Sequence, residues 1–420
     1  MSSVEQGALR SPFRSRTYGG LSKGQIEFLC SEVDFSKPRR ILDPMAGQAT
    51  FLGQLSHEGH DVYLEDVNPG PLLLAALRDP ELLMRASELR TAVLGKLPKR
   101  QTPKASSDFC PTWLSARVVR DLGEFSQAIG SVGSSLSGEN SFWEAPSVTR
   151  LGASLAVLAA RQISCFRRSD NVTWLKEGGL EPSQSLYDAI KDALNVWCKY
   201  ADGRRPILAK QPRIGSLRLT WADSAKGGQY SPRLHDLVIT SPPYANRLDY
   251  TSLWAPELAV AAQLFGIDAA EIKSLQLGTT VVRNRRPLEA DLDHLPLVVR
   301  QPLEQIKNDV SNVASDSYYF PFFANYAIQL RLALLRMASR LREGGRLILF
   351  IRDTVRKDIL LPSASLVELV LCENDCFVLS ARRNHTVRSH IGVIRRDALG
   401  LYGSAQREWW LVFEKARRCK

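Results

Sequence analysis

The chain has 420 residues, of which 44% are hydrophobic and 24% charged. These are ordinary globular proportions, with length for one domain carrying insertions or for two or three domains. No apolar run approaches the roughly 18 residues a membrane span needs, Met1 to Arg16 is polar and basic rather than a secretory signal, and seven scattered cysteines are not a disulfide framework. A soluble, cytoplasmic protein is expected. Lys and Arg number 55 against 44 Asp and Glu, a formal charge of +11, which attracts polyanions and suits nucleic acid.

Ser22 to Val33 is predicted as a helix, with Ile26, Leu29, Cys30 and Val33 at helical spacing. Arg39 to Asp43 reads as a strand ending in a turn, Phe51 to His57 as a helix start, and Asp61 to Leu64 as a second strand. Asn68-Pro69 opens a helix through Leu72, Leu73, Leu74 and Leu77. Strand, turn, helix, strand, helix begins a doubly wound α/β sheet. From about Pro80 to Pro212 the pattern turns to helical apolar patches, such as Leu151 to Ala160 and Tyr187 to Trp197, with a Gly/Ser-rich loop at Gly130 to Gly138. Strands return at Leu217 to Trp221 and His235 to Thr240. A second interruption covers about Asp268 to Ser317. A long helix, about Phe322 to Leu341, a Gly344-Gly345 turn and a strand, Arg346 to Ile351, follow. Cys376 to Ala381 and Trp409 to Phe413 are the last two strands. Cys372-x3-Cys376 and His385-x4-His390 have zinc-finger ligand types, but the inner gap is short and Phe377-Val378-Leu379 reads as a strand, so a strand with a surface loop and no metal site is expected.

Three strand ends carry chemistry. Asp43-Pro44-Met45-Ala46-Gly47-Gln48-Ala49-Thr50 joins the first strand to its helix, and its small residues admit a ligand to the backbone at a helix N-terminus. A single glycine and an Asp-Pro start suit a ligand with an ammonium and a carboxylate better than a pyrophosphate. Glu65-Asp66 ends the second strand, where a carboxylate can take both ribose hydroxyls of a nucleoside; Asp66 is preferred and Glu65 is the alternative. Asp223, after Trp221-Ala222, is placed either to accept from an adenine amino group or to cap a following helix.

Ser241-Pro242-Pro243-Tyr244 follows Leu237-Val238-Ile239-Thr240 and makes a rigid corner, because each proline fixes φ. The exocyclic amino nitrogen of a base is a poor nucleophile, its lone pair being delocalised into the ring. Ser241 Oγ and the Pro242 carbonyl can accept its two hydrogens and draw the nitrogen toward tetrahedral geometry. The Tyr244 ring can stack on a base flipped from the duplex.

With these motifs the chain resembles the S-adenosylmethionine-dependent amino-methyltransferases of DNA. The matched residues are Asp43-Pro44, Gly47, Thr50, Asp66, Asp223, Ser241-Pro242-Pro243-Tyr244, the Glu343-Gly344-Gly345 turn with its strand, and the closing Glu408 to Lys415. The resemblance implies an α/β, Rossmann-like class I methyltransferase fold: a seven-stranded, mostly parallel sheet with one antiparallel edge strand and helical insertions. It implies S-adenosyl-L-methionine as cofactor, held by Asp43, Pro44, Ala46, Gly47, Thr50, Asp66 and Asp223, with Tyr18 in a segment that touches the cofactor's carboxylate. It implies base contacts at Ser241, Pro242, Pro243 and Tyr244. Serine in first place is commonest among N4-cytosine enzymes, Asp or Asn among N6-adenine ones. Ala49 stands where the family often has glycine, and the cofactor half precedes the corner, the reverse of many relatives.

The expected organisation is a cofactor-binding half over 1–79, a mainly helical insertion over 80–212, a catalytic half over 213–267, a second insertion over 268–317 as candidate target recognition, and the rest of the sheet over 318–420. DNA contacts are expected at Arg283, Asn284, Arg285 and Arg286, with Arg382 and Arg383 on backbone phosphates. The first insertion offers further basic residues, among them Arg85, Arg90, Lys96, Arg161, Arg167 and Arg168. The expected activity is methylation of cytosine N4 in duplex DNA, with a partner restriction nuclease and the oligomeric state left open. An N6-adenine DNA enzyme, an RNA amino-methyltransferase and a non-catalytic binding module are the rivals.

Overall fold

The computed structural model describes residues 13, 20–97, 109–130, 142, 144–168, 175–182, 184–226, 234–246, 249–282, 286–357, 359–373, 376–386 and 407–417. Seven strands form one sheet: β1 Arg40–Asp43, β2 Asp61–Asp66, β3 Ser216–Trp221, β4 His235–Thr240, β5 Leu341–Arg352, β6 Phe377–Thr386 and β7 Arg407–Lys415, in the order β6-β7-β5-β4-β1-β2-β3. β1, β2 and β3 run parallel, as do β4 and β5, while β7 is antiparallel to both β5 and β6. This is the Rossmann-like α/β fold of class I methyltransferases. The chain divides into two compact units, one of residues 1–222, 228–231 and 250–273, the other of 223–227, 232–249 and 274–420.

In the first unit, β1 and β2 are short apolar runs buried on both faces, as parallel strands must be; Ile41, Leu42, Val62 and Leu64 are fully buried. The N-terminal helix Lys23–Glu32 starts on a capping box formed by Ser22 and Gln25. Asn68 caps the helix Pro69–Ala76, with Pro69 at its first position, and all eight helical residues are buried. The helix Ala255–Phe265 crosses it so closely that a Cβ on Gly70 would meet Leu258 N at 3.0 Å. The helices Ser147–Leu158 and Leu186–Leu208 of the long interruption are also apolar on the covered side. Trp197, fully buried, donates its indole N–H to the Leu77 carbonyl at 3.1 Å. Arg150 reaches Asp79 and Glu81, both at 2.7 Å, and Arg161 reaches Glu257 at 2.6 Å. Two small antiparallel pairs, Phe166–Arg168 with Leu175–Glu177 and Phe109–Cys110 with Gly179–Leu180, lie in the same stretch. Their runs of two or three residues are too short to show as strands in a sequence.

In the second unit, the buried Leu347–Ile351 of β5 pack between β4 and the Leu411–Phe413 segment of β7. The long helix is Phe320–Ser339, so Leu341 already belongs to β5. The expected Gly344-Gly345 turn is a bulge inside that strand. His235 pairs with Leu341 and Leu237 with Arg346, so β5 advances five residues while β4 advances two. Gly344 has φ +68°, and a Cβ on Gly345 would meet Arg342 O and Leu341 Cγ at 2.8 Å; only glycine fits this slack. β6 and β7 are longer than expected and form one antiparallel hairpin. Cys376 is disulfide-bonded, and no metal-ligating cluster occurs among the described residues. No helix among them is long and apolar enough to cross a membrane.

Candidate functional site

In the first unit the loop after β1 folds back onto the end of β2. Asp43, buried, accepts the Met45 N–H at 3.1 Å. Pro44 forms the turn. Ala46 N–H donates to the Glu65 carbonyl at 2.8 Å. Gly47 N–H donates to Asp66 Oδ2 and Asn68 N–H to Asp66 Oδ1, each at 2.8 Å. Adjacent strand residues point to opposite faces, and it is Asp66 rather than Glu65 whose carboxylate meets the loop. Burial pushes the Asp66 carboxyl up to about 6, against the lowering pull of the Asn68, Gly47 and Val67 N–H groups.

Gly47 has φ +51° and Ala49 φ +42°. The loop therefore makes two left-handed steps, and the second is taken by a residue with a Cβ, which costs about 1–2 kcal/mol. A Cβ on Gly47 would meet nothing within 4 Å, so the loop backbone there is open to a ligand. Thr50 is buried at the loop's end. Arg78, absent from the sequence reading, holds the loop from beneath: wholly buried, it donates to the Gln48 carbonyl at 3.1 Å and the Leu74 carbonyl at 3.2 Å. Burial lowers its guanidinium to about 10. His57 Nε2 lies 2.6 Å from the Arg78 carbonyl, and burial lowers this imidazole to about 4. An arginine followed by Asp-Pro at a helix end gives no periodic signal of such a role.

In the second unit Asp223 Oδ1 accepts the Ala225 N–H at 2.8 Å, so it caps a turn rather than a helix. At the end of β4, Pro242 is buried, while Ser241, Pro243 and Tyr244 are half-buried. Ser241 Oγ donates to the Phe350 carbonyl at 3.3 Å and lies 3.5 Å from Tyr244 Oη. With its proton turned to β5, the serine oxygen keeps lone pairs to accept with. Tyr244 Oη donates to Glu408 at 3.1 Å. The Arg352 guanidinium lies 4.8 Å from the centre of the Tyr244 ring and covers one of its faces. Glu408 also accepts from Arg352 Nη2 at 3.4 Å and from the Trp410 indole at 2.8 Å. Arg352 was missed in the sequence and Glu408 was read only as the start of the last strand; each is one of several charges on its strand.

The expected DNA contacts fare unevenly. Tyr18, Arg283, Asn284 and Arg285 lie outside the described residues. Arg286 is paired with Asp316 at 2.9 Å. Arg382 is paired with Glu368 at 3.1 Å and lies 4.2 Å over the Trp409 ring. Arg383 is exposed. In the first insertion Arg85 pairs with Glu88 at 2.7 Å, and Arg167 lies 5.6 Å over the exposed Phe109 ring.

No protein-family profile matches the chain, and no curated protein matches it. Among solved structures it is similar to two of the rRNA methyltransferase aviRa from Streptomyces viridochromogenes, at 1.5 and 2.4 Å. The identities are 11% and 12%, the coverage 98% of this chain and 93% and 94% of the other, and the TM-score 0.34 in each case. The fold assignment rests on the strand order, not on this likeness.

Proposed function

We propose that the chain methylates the exocyclic N4 of cytosine in duplex DNA, with S-adenosylmethionine as donor. The observation that carries the reading is the Ser241 corner. Its hydroxyl proton is directed at the Phe350 carbonyl, which leaves the oxygen to accept one amino hydrogen of a flipped base. The Pro242 carbonyl, held by two fixed φ angles, takes the other. Both acceptors return electron density to a nitrogen whose lone pair is otherwise spread into the ring. Serine rather than Asp or Asn in first place supports cytosine over adenine.

The first unit's loop fits the cofactor. Each Asp66 oxygen takes one backbone N–H, and a carboxylate oxygen has room for a second donor, so the pair suits the two hydroxyls of a ribose. The open backbone at Gly47 suits close approach of the amino-acid end. When bound, S-adenosylmethionine supplies an electrophilic methyl on a sulfonium. The chain's residues bind that donor, turn the amino nitrogen toward tetrahedral geometry and stack the base on Tyr244.

The test is nucleoside mass spectrometry after incubating the protein and deuteromethyl donor with unmethylated duplex DNA or with RNA. Labelled N4-methylcytosine in the DNA is expected. Labelled N6-methyladenine alone would reassign the base, label only in RNA would remove DNA, and no label in either, with donor bound in calorimetry, would overturn the reading.

A further inference from the structure

The C-terminal end of β5 and the start of the antiparallel β7 form a small grid beside the corner. Residues two apart on a strand share a face, so Phe350 and Arg352 lie on one face of β5, and Glu408 and Trp410 on one face of β7. The register sets Arg352 opposite Glu408 and Phe350 opposite Trp410. The rings of Phe350 and Trp410 meet edge to face, with centroids 6.2 Å apart. The Phe350 carbonyl takes the Ser241 hydroxyl. The Glu408 side chain is 10% exposed and that of Arg352 18% exposed, so neither charge is a solvated surface group, and a carboxylate at that depth needs donors.

The geometry of Arg352 is informative. An arginine present only to neutralise a carboxylate favours a two-pronged approach. Here a single nitrogen reaches Glu408, at 3.4 Å, and Nε is buried without a hydrogen-bond partner. The guanidinium is instead 4.8 Å from the centre of the Tyr244 ring, within cation–π range. Glu408 holds the phenolic edge of the same ring at 3.1 Å. Tyr244 is thus gripped on one face by Arg352 and at its hydroxyl by Glu408, and Trp410 steadies Glu408 through its second oxygen at 2.8 Å.

We propose that Arg352 and Glu408 are positioning residues that lock the Tyr244 ring before a base arrives. The effect on the base rests on the proposed function of the corner, whereas the locking belongs to the chain alone. A ring already fixed loses less freedom on stacking, so the clamp acts on capture of the target nucleotide and not on the donor.

The test uses the full chain with ring-labelled 13C-tyrosine, the Tyr244 signals being assigned by their loss in Tyr244→Phe. In the wild type the two sides of the ring are expected to give separate signals, as for a slowly flipping ring; in Glu408→Gln and Arg352→Met they merge. In methyl-transfer assays both variants should raise the KM for duplex about tenfold with donor affinity unchanged. The double variant should be no worse than either single, because each releases the same ring. Arg352→Lys keeps the charge opposite Glu408 but loses the planar stack, and should not restore the KM. Tyr244 signals unchanged in both single variants would overturn the proposal, as would full recovery with Arg352→Lys. If the wild type methylates no nucleic acid, the functional reading falls while the ring signals still decide the clamp.

Discussion

Cofactor affinity should depend on pH through Asp66. Its carboxyl sits near 6 because burial disfavours the charge. Ribose hydroxyls donate, so they need the ionised form; the affinity must rise with pH through that value and fall below it. With a single group at about 6, about nine-tenths is ionised at pH 7 and about one-eleventh at pH 5, so the dissociation constant should rise about tenfold over those two units. The ligand's α-amino group, with an ordinary value near 8, stays protonated over the window and adds no slope. Calorimetric titration with S-adenosylhomocysteine from pH 5 to 7 measures the curve. Asp66→Asn should bind about tenfold to a hundredfold more weakly at pH 7, the loss of hydrogen bonds to a charged group, and should show no slope. A wild-type constant flat to within twofold, or the same slope in Asp66→Asn, would refute the reasoning.

Other substitutions separate the parts of the molecule. Ser241→Ala should lower turnover and leave donor affinity nearly unchanged, checked by single-turnover kinetics beside calorimetry. Tyr244→Ala should weaken capture of the base by about 1–3 kcal/mol, read from the duplex KM or from a fluorescent base analogue at the target position. Arg150→Met removes one partner from the buried pair with Asp79 and should cost about 3–5 kcal/mol in urea unfolding. Adding Asp79→Asn to it should recover part of that loss.

The parts of the fold that could be read in advance were those with local causes. β1, β2 and β4 are continuous apolar runs ending in Asp43, Asp66 and Ser241, and each ends where the residue types demand a turn. Gly344-Gly345 misled because paired glycines usually interrupt a strand, whereas here they absorb a slip in register within one. Arg352 and Glu408 could not be paired from the sequence: they meet only through the register of a hairpin strand far along the chain. Arg78 was hidden for a similar reason, its partner carbonyl being thirty residues away in a loop. The arginines nominated for DNA show the limit of charge counting. Arg286 and Arg382 are basic in the sequence, yet in the fold each faces an acid, and which acid lies within reach is a tertiary fact.

The helix Pro69–Ala76 has no wet side. A helix laid on a sheet ordinarily needs one greasy stripe, with the reverse left to water; this one is leucine, alanine, proline and glycine all round. The helical layer outside it is therefore not an ornament hung on a self-sufficient scaffold. Trimming residues 80–212 to reach a minimal version would strip the cover from an oily rod and yield a sticky, self-associating product. The smallest form of this protein able to stay dispersed must keep that outer coat.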